Sequence, residues 1–260
     1  MEIPQIVTNT AYSRYEQKLE KEVFQGPIPK HIAIIMDGNR RYAREILRAE
    51  DTNKGHELGK DKLEEVMNWC IKAKVRTLTV YAFSTENFSR EETEVNFLLA
   101  LIRDMLYDLG DDERIHTNRM RVKVIGDRDM IPDDMAEAVE YAESRTKEYD
   151  DYHFNIAVAY GGRQEIINAV KDIAIAVKEG RMDISDITED SFSTRMYTSD
   201  EPDPDLVLRT SGELRLSNFL IWQMAYSELY FTDIYWPGFR YIDFLRAIRA
   251  YQQRNRRFGT

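Results

Sequence analysis

The chain has 260 residues, 43% hydrophobic and 32% charged, with a formal net charge of -10. Such a composition belongs to an ordinary globular chain of one large or two small domains. The acidic balance argues against a general nucleic-acid binder, which gains affinity by neutralising phosphates with Lys and Arg. The one cysteine, Cys70, excludes an internal disulfide, fits a reducing compartment, and sits in a helical pattern as a small core residue. No run has the apolar length of a membrane span, and no signal-peptide core opens the chain. A cytoplasmic location is expected, with contact to a membrane surface left open.

Residues 1–30 are polar and charged and end in Gly26-Pro27-Ile28-Pro29. A surface helix over Tyr12–Phe24, closed by the prolines, is expected there, and no chemistry is assigned to it. Residues 31–260 form the main domain. Its first element is an unbroken apolar run, Ile32–Met36, that stops at Asp37-Gly38-Asn39-Arg40-Arg41. Such a run reads as a strand buried on both faces. Arg44–Lys54 is charged and without periodicity, and is read as a loop or short helix. Leu63, Val66, Met67 and Cys70 are spaced as one face of a helix over His56–Lys74.

Strands are expected at Leu78–Phe83, Val122–Ile125, Phe154–Ala159, Leu206–Leu208 and Leu229–Phe231. Helices are expected over Val95–Leu109, from Pro132 to Tyr149, and after Gly161-Gly162 with Ile166, Ala169, Val170, Ile173 and Val177 on one face. Two further helices are expected, one over Ser217–Tyr226 and one carrying Tyr241, Phe244, Leu245 and Ile248 into the basic tail Arg254–Arg257. Strands alternating with helices imply one α/β domain, with a central, mainly parallel six-stranded sheet flanked by helices.

Polar groups collect after three strands. The first ends in the Asp37–Arg41 run, the second in Ser84-Thr85-Glu86-Asn87-Phe88-Ser89-Arg90, and the fifth in Arg209-Thr210-Ser211-Gly212-Glu213, with Arg215 and Ser217 close behind. Arginines beside Ser, Thr, Asn or Gly near helix starts suit phosphate oxygens, and so many exceed the need of one monophosphate. A diphosphate site, or two, is the reading set against scattered ion pairs. Asp37 is either a turn or helix cap, or a magnesium ligand that shares the ion with substrate phosphates. His56, just after Gly55, is either a capping residue or a phosphate contact on the same rim. No Gly-rich nucleotide loop and no zinc spacing is present.

These segments resemble one family. HIAIIMDGNRRYA, YAFSTENFSR, the Tyr160–Arg163 turn and LVLRTSGELRLSNFLIWQMAYSELYF are similar, in order and over nearly the whole chain from His31, to the cis-prenyltransferases. That family comprises the undecaprenyl and dehydrodolichyl diphosphate synthases. The resemblance implies condensation of isopentenyl diphosphate onto an allylic diphosphate, farnesyl or geranylgeranyl, with a cis double bond. The product would be a polyprenyl diphosphate lipid carrier for glycan synthesis. By position, Asp37 corresponds to the acid that engages Mg²⁺, and Glu228 to a second metal carboxylate. Gly38, Asn39, Arg40, Arg41 and His56 correspond to the allylic diphosphate site, and Arg209, Arg215 and Ser217 to the isopentenyl diphosphate site, with Tyr42 and Leu216 as further substrate-binding residues. Ser84, Thr85, Glu86, Asn87, Phe88 and Arg90 lie between the two, with Asn87 assisting proton removal. Arg257 and Gly259 correspond to an Arg-x-Gly tail that reaches across a homodimer interface.

Three departures stand out. Arg40 and Tyr42 replace the Gly and Trp usual in bacterial members, giving an archaeal and eukaryotic form of the motif. The Asp37–His56 loop is longer than in common members. Thr52 stands where many bacterial relatives have an arginine, for which Arg48 or Lys54 is the expected substitute. Two other readings are carried forward: a prenyl-joining enzyme of altered, non-head-to-tail regiochemistry, and a non-catalytic subunit of a heteromeric enzyme. The second is disfavoured because the chain holds both the acid and the arginines. The apolar face Val95, Leu98, Leu99, Ile102, Met105 and Leu106 reads equally as a tunnel wall or as plain core.

Overall fold

The computed structural model describes residues 5–254. Six parallel strands form its centre: β1 (His31–Ile35), β2 (Thr77–Ser84), β3 (Met120–Ile125), β4 (Tyr152–Tyr160), β5 (Leu206–Arg209) and β6 (Glu228–Phe231), in the order β3-β4-β2-β1-β5-β6. From β1 the chain first builds outward through β2, β4 and β3, then returns to the other side of β1 with β5. The strand order therefore switches direction between β1 and β5. In open parallel sheets the crevice at that switch, beyond the carboxyl ends of the strands, is where ligands bind.

Alternate residues of the strands feed two cores. Ile32, Ile34, Leu78, Val80, Phe154, Ile156, Leu206 and Leu208 face the larger one. It is completed by α1 (Gln5–Gln25), α3 (Asn53–Ala73), α4 (Glu92–Asp111), α6 (Asp133–Thr146) and α9 (Tyr241–Gln253). Ala33, Ile35, Ala157 and Val207 face a smaller core with Phe219, Leu220 and Met224. The period of two explains why β1 is apolar from Ile32 onward: both its faces are covered. α1 is no detached surface helix, because Leu19 and Val23 are fully buried where it packs on α9.

The structure departs from the expected elements in several places. Asn39–Arg41 (α2) is helical and runs into a π-helical turn over Tyr42–Ile46, where Leu47 N–H reaches Tyr42 O at 3.1 Å. The charged segment Arg44–Lys54 thus ends a short helix and continues in turns over 47–52, within what was expected, while α3 starts at Asn53, earlier than expected. On α7 (Gly162–Lys178) the buried positions are Glu165, Ala169, Ile173 and Ala176, whereas Val170 is 49% exposed. The face is rotated because Glu165 finds buried polar partners. Short helices α5 (Glu113–Thr117) and α8 (Glu189–Ser193) were not expected.

Ser217–Tyr226 is a series of turns rather than a helix. Ser217, Asn218 and Leu220 all have positive φ. Asn218 spends its hydrogen bonds on the β4–α7 turn: its carbonyl accepts from Gly162 N at 2.7 Å and its Oδ1 from Arg163 N at 2.9 Å. The apolar residues that suggested a helix bury Phe219 and Leu220 without one.

Two contacts of this frame are open to test. A Cβ added at Gly55 would lie 2.1 Å from Asn39 O and 3.2 Å from the Ala43 Cβ, so glycine is what lets α3 touch α2. Gly55→Ala should cost ~1–3 kcal/mol by overpacking, seen as a lower Tm, and should displace Asn39 and its neighbours. His31 is fully buried, with Nδ1 2.7 Å from Pro202 O and Nε2 2.8 Å from Thr79 Oγ1. Burial pushes its pKa down to about 4. Since the unfolded imidazole takes up a proton near pH 6.5, this contribution to stability is complete above that pH and is lost as pH falls towards 4. Thermal melts should show the decline, and His31→Gln should flatten it.

Candidate active site

Asp37 stands at the switch point, two residues beyond β1. Its backbone is fixed from three sides. Thr210 Oγ1 accepts from Asp37 N at 2.9 Å and lies 2.7 Å from Asp37 O, and Trp236 N donates to the same carbonyl at 3.0 Å. Gly38 follows with φ 101, where a side chain would be strained and would also meet the Tyr235 ring. The carboxylate is then held between two guanidiniums. Arg209 at the end of β5 donates Nη2–H to Oδ2 at 2.8 Å, and Arg41 donates to Oδ1 at 3.3 Å.

Arg209 is 4% exposed and its other amine donates to Ser217 Oγ at 2.8 Å and to the Arg215 carbonyl. A buried guanidinium of this kind depends on its carboxylate. On one side of Asp37, Arg41 donates to Glu213 Oε1 at 3.2 Å and lies 5.7 Å from the centre of the Tyr235 ring, while Arg215 pairs with the other oxygen of Glu213. On the opposite side, Arg40 and Arg90 both donate to Glu94, at 3.2 and 2.7 Å. His56 is close by and stays neutral: burial, then the Arg90 charge, bring its pKa down to about 4 against the pull of Glu94.

The turn after β2 (Thr85–Ser89) begins with a capping box, in which Asn87 Oδ1 accepts from Ser84 N at 3.0 Å and the Ser84 side chain accepts from the Asn87 backbone. This fixes the Asn87 amide at the mouth of the crevice. Burial raises the pKa of Glu86, but hydrogen bonds from its own backbone, Ser84, Asn218 and Thr85 outweigh it and hold the carboxyl below its usual range. The groups together enclose a cleft of about 660 Å³. It is lined by Asp37, Gly38, Asn39, Arg40, Arg41, Arg44, His56, Ser84, Glu86, Asn87, Arg90, Arg209, Arg215, Ser217 and Asn218, with Tyr81, Phe83 and Leu98 as apolar wall. Cations on both sides of one carboxylate can hold two anionic groups facing each other.

Residues 35–259 match the family model described as "Putative undecaprenyl diphosphate synthase". The chain belongs to this prenyltransferase family. Curated relatives named tritrans,polycis-undecaprenyl-diphosphate synthase (geranylgeranyl-diphosphate specific) include one from Picrophilus torridus, 54% identical over 94% of this chain and 95% of that protein. Another, from Thermococcus kodakarensis, is 50% identical over 99% and 97%. Among solved structures, lavandulyl diphosphate synthase from Lavandula x intermedia, in complex with dimethylallyl diphosphate, superposes with a TM-score of 0.85 at 34% identity, covering 92% of this chain and 100% of that one. A probable undecaprenyl diphosphate synthase from Campylobacter jejuni gives 0.74 at 31%, covering 90% and 100%.

Not every residue expected at the prenyltransferase site comes to the cleft. Tyr42 packs beside Gly238, Phe88 meets the Phe83 ring edge-on at 4.9 Å, Leu216 joins the smaller core, and Thr85 bonds Glu86. Glu228 is not brought to Asp37 within the chain. It opens β6 in register with Leu206, itself in register with Ile32, at the amino ends of the strands, where it pairs with Arg254 at 2.7 Å. Arg257 and Gly259 lie outside the described residues. Neither Arg48 nor Lys54 lines the cleft, whereas Arg44 on the π-helical turn does.

Glu94 and Glu213, the carboxylates that order the arginines, were given no role in the sequence reading. For Glu94 the signal was its place four residues after Arg90, one helical turn away. Leu98 alone of its helix face reaches the cleft, and the rest of that face is core.

No group of three or more His, Cys, Asp or Glu able to hold a metal exists among the described residues. A single carboxylate at the centre of an anion cleft suits Mg²⁺, which binds through one or two carboxylates plus substrate phosphates and water, and does not suit a transition metal that needs a protein cage. Asp37→Asn should keep an acceptor for Arg209 and the far-ultraviolet spectrum, lower Tm by removing the charge that the buried guanidinium needs, and lose turnover on the order of a thousandfold. Asp37→Ala, which strands the buried guanidinium, should also lower Tm. An Asn variant with wild-type turnover would remove Asp37 from the chemistry.

Proposed function

We propose that the protein condenses isopentenyl diphosphate onto an allylic diphosphate, geranylgeranyl or farnesyl, with cis double-bond formation. The observation that carries this is Asp37 fixed between two arginine clusters at the sheet's switch point. The allylic diphosphate is assigned to the Gly38–Arg41 turn with Arg90 and His56, and isopentenyl diphosphate to Arg209, Arg215 and Ser217. Mg²⁺, held by Asp37, would neutralise charge on the departing diphosphate. Arginines already in place stabilise the same charge as the allylic C–O bond breaks. Two clamps fixed against one another set the acceptor double bond against the allylic carbon. The Asn87 amide, anchored by Ser84, lies where it can assist loss of the proton that sets the new double bond.

The growing chain is placed along Leu98 towards α3 and α4. Between those helices lies a pocket of only about 20 Å³, in which Leu63, Met67, Met105 and Leu109 meet Lys60, Glu64, Asp108 and Arg114, so a long product needs more room there than the free protein offers. A homodimer whose Arg257 and Gly259 complete the isopentenyl site of the partner belongs to this reading. So do a cytoplasmic location, peripheral membrane contact for product release, and a product used as a glycan carrier. Among the described residues no helix is long and apolar enough to cross a membrane.

Altered regiochemistry stays in view through the likeness to the lavandulyl enzyme's structure. The relatives at 50% identity and above, named as undecaprenyl-diphosphate synthases specific for geranylgeranyl diphosphate, favour elongation. One experiment separates the readings: incubation with isopentenyl diphosphate, Mg²⁺ and each allylic diphosphate from dimethylallyl to geranylgeranyl, followed by chromatography of the dephosphorylated products. A ladder of linear cis-polyprenols, best from geranylgeranyl diphosphate, is expected. Short branched products would favour the joining enzyme, and no product with any starter would defeat both.

A further inference from the structure

Glu94, in the first turn of α4, gathers two guanidiniums and a neutral imidazole from three elements. Arg90, on the preceding loop, donates to Oε1 at 2.7 Å. Arg40 of α2 donates to Oε2 at 3.2 Å, and His56 Nε2 of α3, buried and without a hydrogen-bond partner, stands 3.9 Å from Oε1. A helix-supporting pair one turn apart would account for Arg90 alone. It does not account for Arg40, which comes from the other wall of the cleft, nor for a carboxylate only 16% exposed where Glu91 and Glu92 beside it face solvent. The pattern repeats across Asp37, where Glu213 joins Arg41 to Arg215. The guanidiniums assigned above to phosphate are thus already engaged by carboxylates of the chain.

We propose that Glu94 is a resident counter-anion of the allylic diphosphate subsite, which keeps Arg40 and Arg90 assembled in the free protein and yields them to the incoming diphosphate. This inference rests on the reading of the cleft given above. Two guanidiniums held side by side repel each other, and a carboxylate between them removes that cost before substrate arrives. The same carboxylate sets a threshold. A ligand takes over the arginines only if it offers more charge and more acceptor oxygens than one carboxylate, so diphosphate succeeds where singly charged anions do not. When diphosphate leaves after bond cleavage, Glu94 regains its partners, which assists release. Glu94 is therefore a positioning and selectivity residue that need not touch the reacting atoms.

The test compares the full-length protein with Glu94→Gln, which keeps the shape and one acceptor but loses the charge. Binding of inorganic diphosphate and of inorganic phosphate is measured by titration calorimetry in Mg²⁺ buffer, together with steady-state kinetics. The Gln variant should bind diphosphate about fivefold more tightly, the scale of a partly exposed ion pair. Phosphate should gain at least as much, so that discrimination narrows. KM for the allylic diphosphate and kcat should fall together, while KM for isopentenyl diphosphate stays the same. Unchanged or weaker diphosphate binding by a variant with wild-type Tm would overturn the role of Glu94. If the Gln variant is unfolded, Glu94→Asp, which keeps the charge but falls short of Arg40, is held to the same criterion. Absence of diphosphate binding by the wild-type protein would instead defeat the reading of the cleft, and this inference with it.

Discussion

The ion pair between Asp37 and Arg209 joins the two strands at which the sheet changes direction. β1 and β5 are neighbours in the sheet but lie far apart in sequence, and each delivers one charged side chain to the crevice between their carboxyl ends. Arg209 is almost fully buried, so its charge is tolerable only with a carboxylate in place. That requirement explains the investment in holding Asp37: a threonine on β5, a tryptophan amide and a glycine with positive φ all act on its backbone. Any ligand bound at Asp37 is therefore read against a fixed frame.

Around this pair the cleft is an alternation of fixed charges rather than a basic bowl. Arg41 reaches both Asp37 and Glu213, Arg215 reaches Glu213, and Arg40 and Arg90 reach Glu94. Such a lattice keeps long, flexible side chains ordered before substrate arrives, which lowers the entropy lost on binding. It also reconciles a formal net charge of -10 with an anion site. The positive charge is local, carried by guanidiniums each held against a carboxylate of the chain.

Much of the sheet was legible in sequence because its signal is local. Unbroken apolar runs such as Ile32–Ile35 and Phe154–Ala159 bounded by turn residues mark strands covered on both faces, and all six expected strands are found. The errors have a shared cause. Asn218 looked like part of a helix, but its backbone and side chain bond a turn more than fifty residues earlier. Glu165 sits on the core face of α7, where periodicity would place an apolar residue. It accepts hydrogen bonds from Tyr160, Tyr197 N and Gln223, and burial raises its pKa. Partners of this kind are fixed by the tertiary fold and leave no periodic trace. The same holds for Glu228, whose distance from Asp37 follows from strand register, which short motifs do not encode.

The π-helical turn at Tyr42–Ile46 shows how a helix can be re-aimed without losing its hydrogen bonds. A turn closed by bonds five residues apart accommodates one more residue than an α-helical turn, and it does so with its backbone still hydrogen-bonded. The segment after Asp37 is helical through Ile46 and again from Asn53, and Arg40, Arg41 and His56 towards its two ends all line the cleft. What shifts is the angular position of everything within the turn, and this is how Arg44 comes to line the cleft while Arg48 does not. A turn of this kind acts as a dial: it sets the aim of one cation while the cleft residues on either side keep their places.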